Sequence, residues 1–306
     1  EPQVVGLLDF SELNLFQVEQ EFRLRLRTLP TESFLTDIRD RDALKGVLKR
    51  FTPQIIFHAA AYKHVPMQES HPREAVLNNV LGTRNLVDLA VESEVERLVL
   101  VSTDKAVRPT NVMGATKRVA ELFVESMNGK QVTRFVAVRF GNVFSSSGSV
   151  IPLFQQQIAT GGPVTVTHPE VTRYFMSIPE AAQLILQAGA MGEGGEIFIL
   201  DMGEPIRIVD MARDLIRLHG LEPETDIPIQ FTGLRPGEKL YEELITSGEG
   251  VVSTSHRKIM VLRGKTRDAA TLLAQIEALL AIARKGDDEA IRRKLRDIVP
   301  EYHPQP

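Results

Sequence analysis

Along the chain, short runs of apolar, β-branched residues alternate with longer stretches in which apolar residues recur every three or four positions. The runs "VVGLLD" (4–9), "QIIFHAAA" (54–61), "RLVLVS" (97–102) and "RFVAVRF" (134–140) have the length and composition of buried strands. Between them, "DRDALKGVLKRF" predicts a helix that begins at an Asp cap. "HPREAVLNNVLGTRNLVDLAVES" predicts a helix with Pro72 early and Ala75, Val76, Val80, Leu86, Leu89 and Ala90 on its buried face. "NVMGATKRVAELFVESM" repeats the theme with Val112, Val119, Leu122, Phe123 and Met127. Strands alternating with helices predict an α/β fold, a doubly wound parallel sheet covered on both faces.

Beyond about residue 150 the pattern loosens. "IPLFQQQIAT", "SIPEAAQLILQAGAM" and "RIVDMARDLIRLHG" predict helices, the second with Ser177 and Glu180 at capping-box spacing. "PVTVT", "EIFIL" and "IPIQF" predict short strands, and the chain closes with an amphipathic helix pair, "AATLLAQIEALLAIARKGDDEAIRRKLRDIVPEY". The expected division is a Rossmann-type body over 1–150 and a smaller α/β part over 151–306, some of whose segments return to the body. No low-complexity linker separates them.

Composition narrows the function. The 306 residues, 43% hydrophobic and 25% charged, suffice for a large core, and no apolar stretch reaches the roughly 18 residues of a membrane span. A net charge of −4 argues against a nucleic-acid partner. With no cysteine there is neither a disulfide nor a thiolate metal site, and no His/Asp/Glu spacing suggests a metal.

In open parallel sheets ligands bind at the carboxyl ends of the strands, so the chemistry is sought there. Asp9 closes the first run, where a carboxylate accepts both ribose hydroxyls of a dinucleotide; the plain alternative is a turn Asp capping the next helix. Asp37 and Ile38, in "TDIRD", are placed to meet adenine, or else form a loop and cap. Ala59, Ala60 and Ala61 let a flat cofactor approach the backbone, with Tyr62, Lys63 and His64 beside it. His58 and His64 read more readily as core or surface residues than as catalysts. Ser102, Thr103, Asp104 and Lys105 stand at the end of the third run, and Met113 and Lys117 share a helix face at i, i+4. Met113 occupies a position where a tyrosine, four residues before a lysine, makes a familiar hydride-transfer site; a thioether has no proton to give, and packing is its plain role. In "RFGNVFSSSGSVIP", Asn142 offers an amide and the Ser/Gly run offers backbone donors to a diphosphate. "GLRPGEKLYEEL" presents Arg235, Glu238 and Lys239 around a tight Pro-Gly turn suited to clamping a diphosphate or ribose, and "TRYF" presents Arg173.

Taken in order, "HAAAYKHVP", "NNVLGT", "STDKAV", "MGATKR", "RFGNV" and "RPGEKLYEE" closely resemble the extended short-chain dehydrogenase/reductase superfamily, and within it the UDP-N-acetylglucosamine 4,6-dehydratases of bacterial polysaccharide and glycan biosynthesis. The resemblance spans residue 4 to about 245. It implies bound NAD, contacted by Asp9, Asp37, Ile38, Ala59, Ala60, Ala61, Asn79, Ser102 and Lys117. It implies a UDP-N-acetylhexosamine contacted by Lys63, Asn142, Arg173, Arg235 and Glu238. It gives Lys105 the C5 proton, Asp104 the leaving C6 hydroxyl, Thr103 the orientation of the sugar and Lys117 the nicotinamide ribose. With Met113 in the tyrosine's place, Asp104 is also expected to take the C4 hydroxyl proton.

The family's first strand and its G-x-x-G-x-x-G turn are absent from these residues, so the chain reads as truncated, with reduced or no activity expected of a protein starting literally at Glu1. The Met113 variant and the "VPEY" ending resemble the long branch, in which the enzyme follows N-terminal membrane helices; that implies the cytoplasmic face of a bacterial inner membrane, and a homo-oligomer. Rival readings are a C5-inverting dehydratase, a nucleotide-sugar 4-epimerase that needs no C5 base, and a non-catalytic NAD-binding scaffold or sensor.

Overall fold

The computed structural model describes every residue except 1, 129–131, 145, 147, 246–249, 264–267 and 306. The first half runs β1 (Val5–Asp9), α1 (Glu12–Arg25), β2 (Thr31–Leu35), α2 (Arg41–Phe51), β3 (Ile55–His58), α3 (Val65–Ser70), α4 (Pro72–Ala75), a π-helical turn (Val76–Gly82), α5 (Thr83–Glu92), β4 (Arg97–Val101), a 3-10 turn (Asp104–Ala106), α6 (Val112–Ser126) and β5 (Arg134–Arg139). The second half continues with β6 (Asn142–Val143), α7 (Val150–Ala159), β7 (Val164–Val166), β8 (Thr172–Arg173), β9 (Phe175–Met176), α8 (Ile178–Met191), β10 (Ile197–Leu200), β11 (Ile206–Arg207), α9 (Ile208–Leu218), β12 (Ile229–Phe231), β13 (Gly250–Ser253), β14 (Ile259–Arg263), α10 (Ala269–Lys285) and α11 (Asp288–Ile298).

β3, β4, β5 and β10 are parallel neighbours, and β14 and then β13 extend the sheet antiparallel beyond β10. Alternation along the strands sends side chains to two cores. Leu98, Leu100, Phe135 and Ala137 meet α5, α6, α10 and α11 on one face. Val99, Val136 and Val138 meet Ala181, Leu184 and Ala188 of α8 on the other. A third core gathers α7, α9, β7 and β12 around Phe154, Val164, Ala212 and Ile216.

Two departures from the sequence reading concern the sheet and the long helix. β1 pairs in parallel only with β2, as a separate two-stranded sheet, and β3 forms the edge of the six-stranded one with Ile55 and Phe57 exposed. The small sheet is held to the body by Arg39, which pairs with Glu74 at 3.1 Å, and by Ile38, packed so close to Gly82 that a Cβ there would lie 2.4 Å from its Cδ1. The helix expected over 71–93 is broken into α4, a π-helical turn and α5. The wide turn carries Asn79, whose side chain is pinned to the Tyr62 backbone on both sides (2.8 and 3.1 Å) and to Thr116 Oγ1 (3.0 Å); π-turns of this kind gather at functional sites.

Candidate functional site

After β4 the chain does not turn away but stays on the course of β5: Ser102 N donates to Val138 O (2.7 Å) and Asp104 N to Phe140 O (2.9 Å). Thr103 caps the 3-10 turn that follows. Asn111 then caps α6, its Oδ1 accepting from Gly114 N at 2.7 Å and its amide donating to Gly237 O at 3.0 Å. Helix and turn touch backbone to backbone, since a Cβ on Gly114 would sit 2.1 Å from the Lys105 carbonyl oxygen. Only glycine permits that approach.

This framework brings three ionisable side chains together. Asp104 is fully buried; its Oδ1 accepts from Thr103 Oγ1 (2.9 Å) and Lys105 Nζ (3.0 Å), while its Oδ2 has no donor among the described residues. Lys105 Nζ also donates to Asn142 Oδ1 at 3.0 Å. Glu242, which the sequence reading did not single out, lies with Oε1 3.9 Å from the same ammonium, and its buried Oε2 likewise lacks a donor. The motif "RPGEKLYEE" contained it, but nothing in its spacing tells a solvated glutamate from a buried one.

Behind the pair runs a second buried network. Glu121 of α6 accepts from Ser102 Oγ (2.6 Å), Arg139 Nε (3.2 Å) and Nη2 (2.8 Å), and Arg118 Nη1 (3.0 Å). Burial alone would push the Glu121 carboxyl up; the two guanidiniums and their hydrogen bonds outweigh it and hold it down at about 2. Arg139 also donates to Leu244 O at 3.3 Å, so the network ties the end of β4, α6 and the Glu242 segment to one another. Charged residues inside the otherwise apolar "RFVAVRF" and "KRVAELF" were the available signal.

Lys117 is buried and donates to Val101 O at 2.7 Å; burial lowers its pKa to about 8, with Glu121 one turn away opposing the drop. Met113 is packed at 2% exposure, as its plain role required. His58 is buried against Thr83 Oγ1 (2.8 Å) and driven by burial, then by the Lys117 charge, to about 3, which leaves it a neutral core residue. No cluster among the described residues could hold a metal.

Several residues expected to meet a ligand have their side chains committed elsewhere. Ser102 donates to Glu121, Asn79 braces Tyr62, and Ile38 packs under Gly82. Asp37 is held by Arg39 through its Nε (2.8 Å) and Nη2 (2.6 Å); burial raises its pKa, but those bonds win and keep it low. Arg173 spends its guanidinium on Glu238 (3.2 Å) and on the carbonyls of Thr172, Lys239 and Leu240, and Glu238 accepts also from Thr167 and the Arg235 amide. These two brace the Pro-Gly turn, whose Arg235 is exposed. Lys63 lies near Ser146 Oγ at 3.4 Å, and burial, then the Lys105 charge, lowers its pKa. Ser145 and Ser147 of the Ser/Gly run lie outside the described residues.

The ends of β1 and β3 fit a dinucleotide. Asp9 gives Oδ1 to the Ser11 amide (2.8 Å), Ala59 and Ala60 are exposed with nothing beyond Cβ, and Lys117 stands one helix turn from Met113.

Residues 1–264 match the family model described as "Polysaccharide biosynthesis protein". The chain is 52% identical over 270 residues to the capsular polysaccharide biosynthesis protein CapD of Staphylococcus aureus, covering 87% of this chain and 44% of that protein. It is 48% identical over 278 residues to the probable polysaccharide biosynthesis protein EpsC of Bacillus subtilis, covering 90% and 46%. The chain thus spans less than half the length of these two relatives. Among solved structures, Pen from Bacillus thuringiensis is 36% identical, with a TM-score of 0.79 over 88% of this chain and 84% of that one. A dTDP-glucose 4,6-dehydratase from Streptomyces venezuelae, solved with NAD, shares the fold at 21% identity and a TM-score of 0.68, over 81% and 80%.

Proposed function

The chain belongs to the polysaccharide biosynthesis protein family, and from that premise we propose that it catalyses NAD-dependent 4,6-dehydration of UDP-N-acetylglucosamine. The product is a UDP-4-keto-6-deoxy-N-acetylhexosamine. A ketone at C4 acidifies the C5 proton, water leaves across C5 and C6, and C6 ends as a methyl group. NAD, when bound, supplies the acceptor for the C4 hydride and its return to C6.

The observation that carries this reading is the fully buried Asp104 paired at 3.0 Å with the part-exposed Lys105, at the carboxyl end of β4, with a packed thioether where an acid–base phenol is expected. Lys105 Nζ is the base that takes the C5 proton. Asp104 Oδ2, buried and without a donor among the described residues, takes the C4 hydroxyl proton that Met113 cannot accept. The resemblance gives Asp104 the second proton step as well, protonation of the leaving C6 hydroxyl. Thr103 fixes the Asp104 carboxylate, and Lys117 presents its ammonium to the nicotinamide ribose. Lys63, Asn142 and Arg235 face the nucleotide sugar, while Arg173 and Glu238 shape the turn that carries Arg235. Asp9 and the alanines of 59–61 receive the adenosine.

Relatives named UDP-glucose 4-epimerase, 36% identical over 250 residues in Rickettsia canadensis, favour a second reading as a 4-epimerase. A C5-inverting dehydratase is a third. The epimerase needs no C5 base, so the Lys105 amine would have no proton to take. An archaeal relative, 49% identical over 255 residues, is named a membrane protein. This supports an association of the full-length protein with a membrane, although no described helix is long and apolar enough to cross one; the cytoplasmic face and a homo-oligomer rest on the resemblance alone. The test is Asp104→Asn in the full-length protein: turnover is expected to fall about 10²-fold or more, and a variant near the wild-type rate would refute the assignment.

A further inference from the structure

Asp104 and Glu242 present their carboxyls to the same ammonium, and the structure treats them differently. Asp104 Oδ1 has two donors, Thr103 and Lys105. Glu242 is buried with Oε1 at 3.9 Å from Lys105, beyond hydrogen-bond reach, and with Oε2 lacking any donor among the described residues. The other cations that bear on it are spent elsewhere, Arg173 on Glu238 and three carbonyls and Lys239 on Val107 O at 2.9 Å. A carboxylate with one oxygen deprived of both water and donors is costly, whereas a carboxylic acid in the same place costs far less.

We propose, building on the dehydratase reading, that Glu242 stands in the site as a neutral carboxylic acid and is the catalytic acid that protonates the departing C6 hydroxyl. Burial, reinforced by the Asp104 charge and opposed by Lys105, Arg173 and Lys239, moves its carboxyl above the usual range, in keeping with that state. Two carboxyls then divide two proton steps, and Asp104 needs only to act as a base.

The protons balance. Asp104 takes the C4 hydroxyl proton. Lys105 takes the C5 proton, whose electron pair becomes the second bond between C5 and C6 as the C6–O bond breaks. The O–H proton of Glu242 joins the departing oxygen to make water. Lys105 later returns a proton to C5. When the product leaves, Asp104 gives its proton to entering water and Glu242 takes one back from water, which restores the starting base and acid.

The test uses the full-length protein with NAD and UDP-N-acetylglucosamine. Glu242→Gln keeps the shape but has no acid proton; it is expected to lower kcat about 10²-fold or more with little change in KM. It should also accumulate a 4-keto sugar that still carries its C6 hydroxyl, trapped by borodeuteride and read by mass spectrometry. Glu242→Asp, which retains an acid, should recover at least about tenfold of the loss. Without any turnover, the infrared difference between wild type and Glu242→Gln should show a protonated-carboxyl C=O band lost at neutral pH. Wild-type turnover by Glu242→Gln, a slow variant that accumulates no 4-keto sugar still carrying its C6 hydroxyl, or the loss of carboxylate bands alone would each overturn the proposal while leaving wild-type dehydration intact. A wild-type protein that forms no 6-deoxy product would overturn the dehydratase reading itself, and the acid role with it.

Discussion

Glu121→Gln is the substitution whose cost the structure sets most sharply. The carboxylate is fully buried and neutralises two guanidiniums, that of Arg139 entirely out of water and that of Arg118 nearly so. Its pKa is held at about 2, well below the usual Glu range, which corresponds to about 3 kcal/mol of preference for the charged form in the folded state. Breaking a buried pair by removing one partner costs about 3–5 kcal/mol, because the other charge is left stranded. The two routes agree on the scale.

The sign follows from the depressed folded-state value. The contribution is complete above the ordinary glutamate pKa of the unfolded chain and is lost as pH falls towards 2. Urea unfolding followed by circular dichroism at neutral pH should therefore show Glu121→Gln destabilised by about 3 kcal/mol or more, with the gap from wild type narrowing on acidification below pH ~4.5. The double variant Glu121→Gln/Arg139→Met, which removes both charges of the pair, should recover part of the loss. A single variant within about 1 kcal/mol of wild type at neutral pH would refute the reasoning, as would a double variant that falls by the sum of the two single losses.

Other outcomes follow from the same geometry. Gly114→Ala would drive a methyl group against the Lys105 carbonyl, 2.1 Å away, and by shifting the catalytic turn should cost about 10²-fold in turnover; unchanged activity would show that the contact positions nothing. Because burial lowers Lys117 to about 8, its ammonium is lost as pH rises through that value, so NAD affinity measured by calorimetry should weaken above pH ~8 and the weakening should be absent in Lys117→Met. The stability sign for the same group is opposite, since the unfolded chain holds that proton more tightly and stability gains as pH rises beyond about 8.

Much of the fold was legible because it rests on period. Leu98 and Leu100 against Val99 already encode two buried faces, and the Asp40, Asn111 and Ser177 caps stand where residue type and spacing put them. What sequence period could not show was the break between the two sheets and the π-turn at Asn79, both decided by contacts between residues far apart in the chain. In the site, Asp104, Lys105 and Asn142 come together as their positions at strand ends implied. Ser102, Arg173 and Glu238 read as ligand contacts because polar residues near a strand end look alike in sequence; only the structure shows that their partners are Glu121, a set of carbonyls and one another. Glu242 stayed hidden for the converse reason, since 137 positions separate it from Lys105 along the chain and burial, which gives it its chemistry, leaves no mark on residue type.

The central claim is tested most directly by incubating the full-length protein with UDP-N-acetylglucosamine and catalytic NAD in deuterated water and following the sugar by NMR. The dehydratase reading predicts a 6-methyl signal beside a 4-keto or hydrated carbon, with solvent deuterium at C5. A sugar altered only in its C4 configuration, with C5 unexchanged, would contradict it.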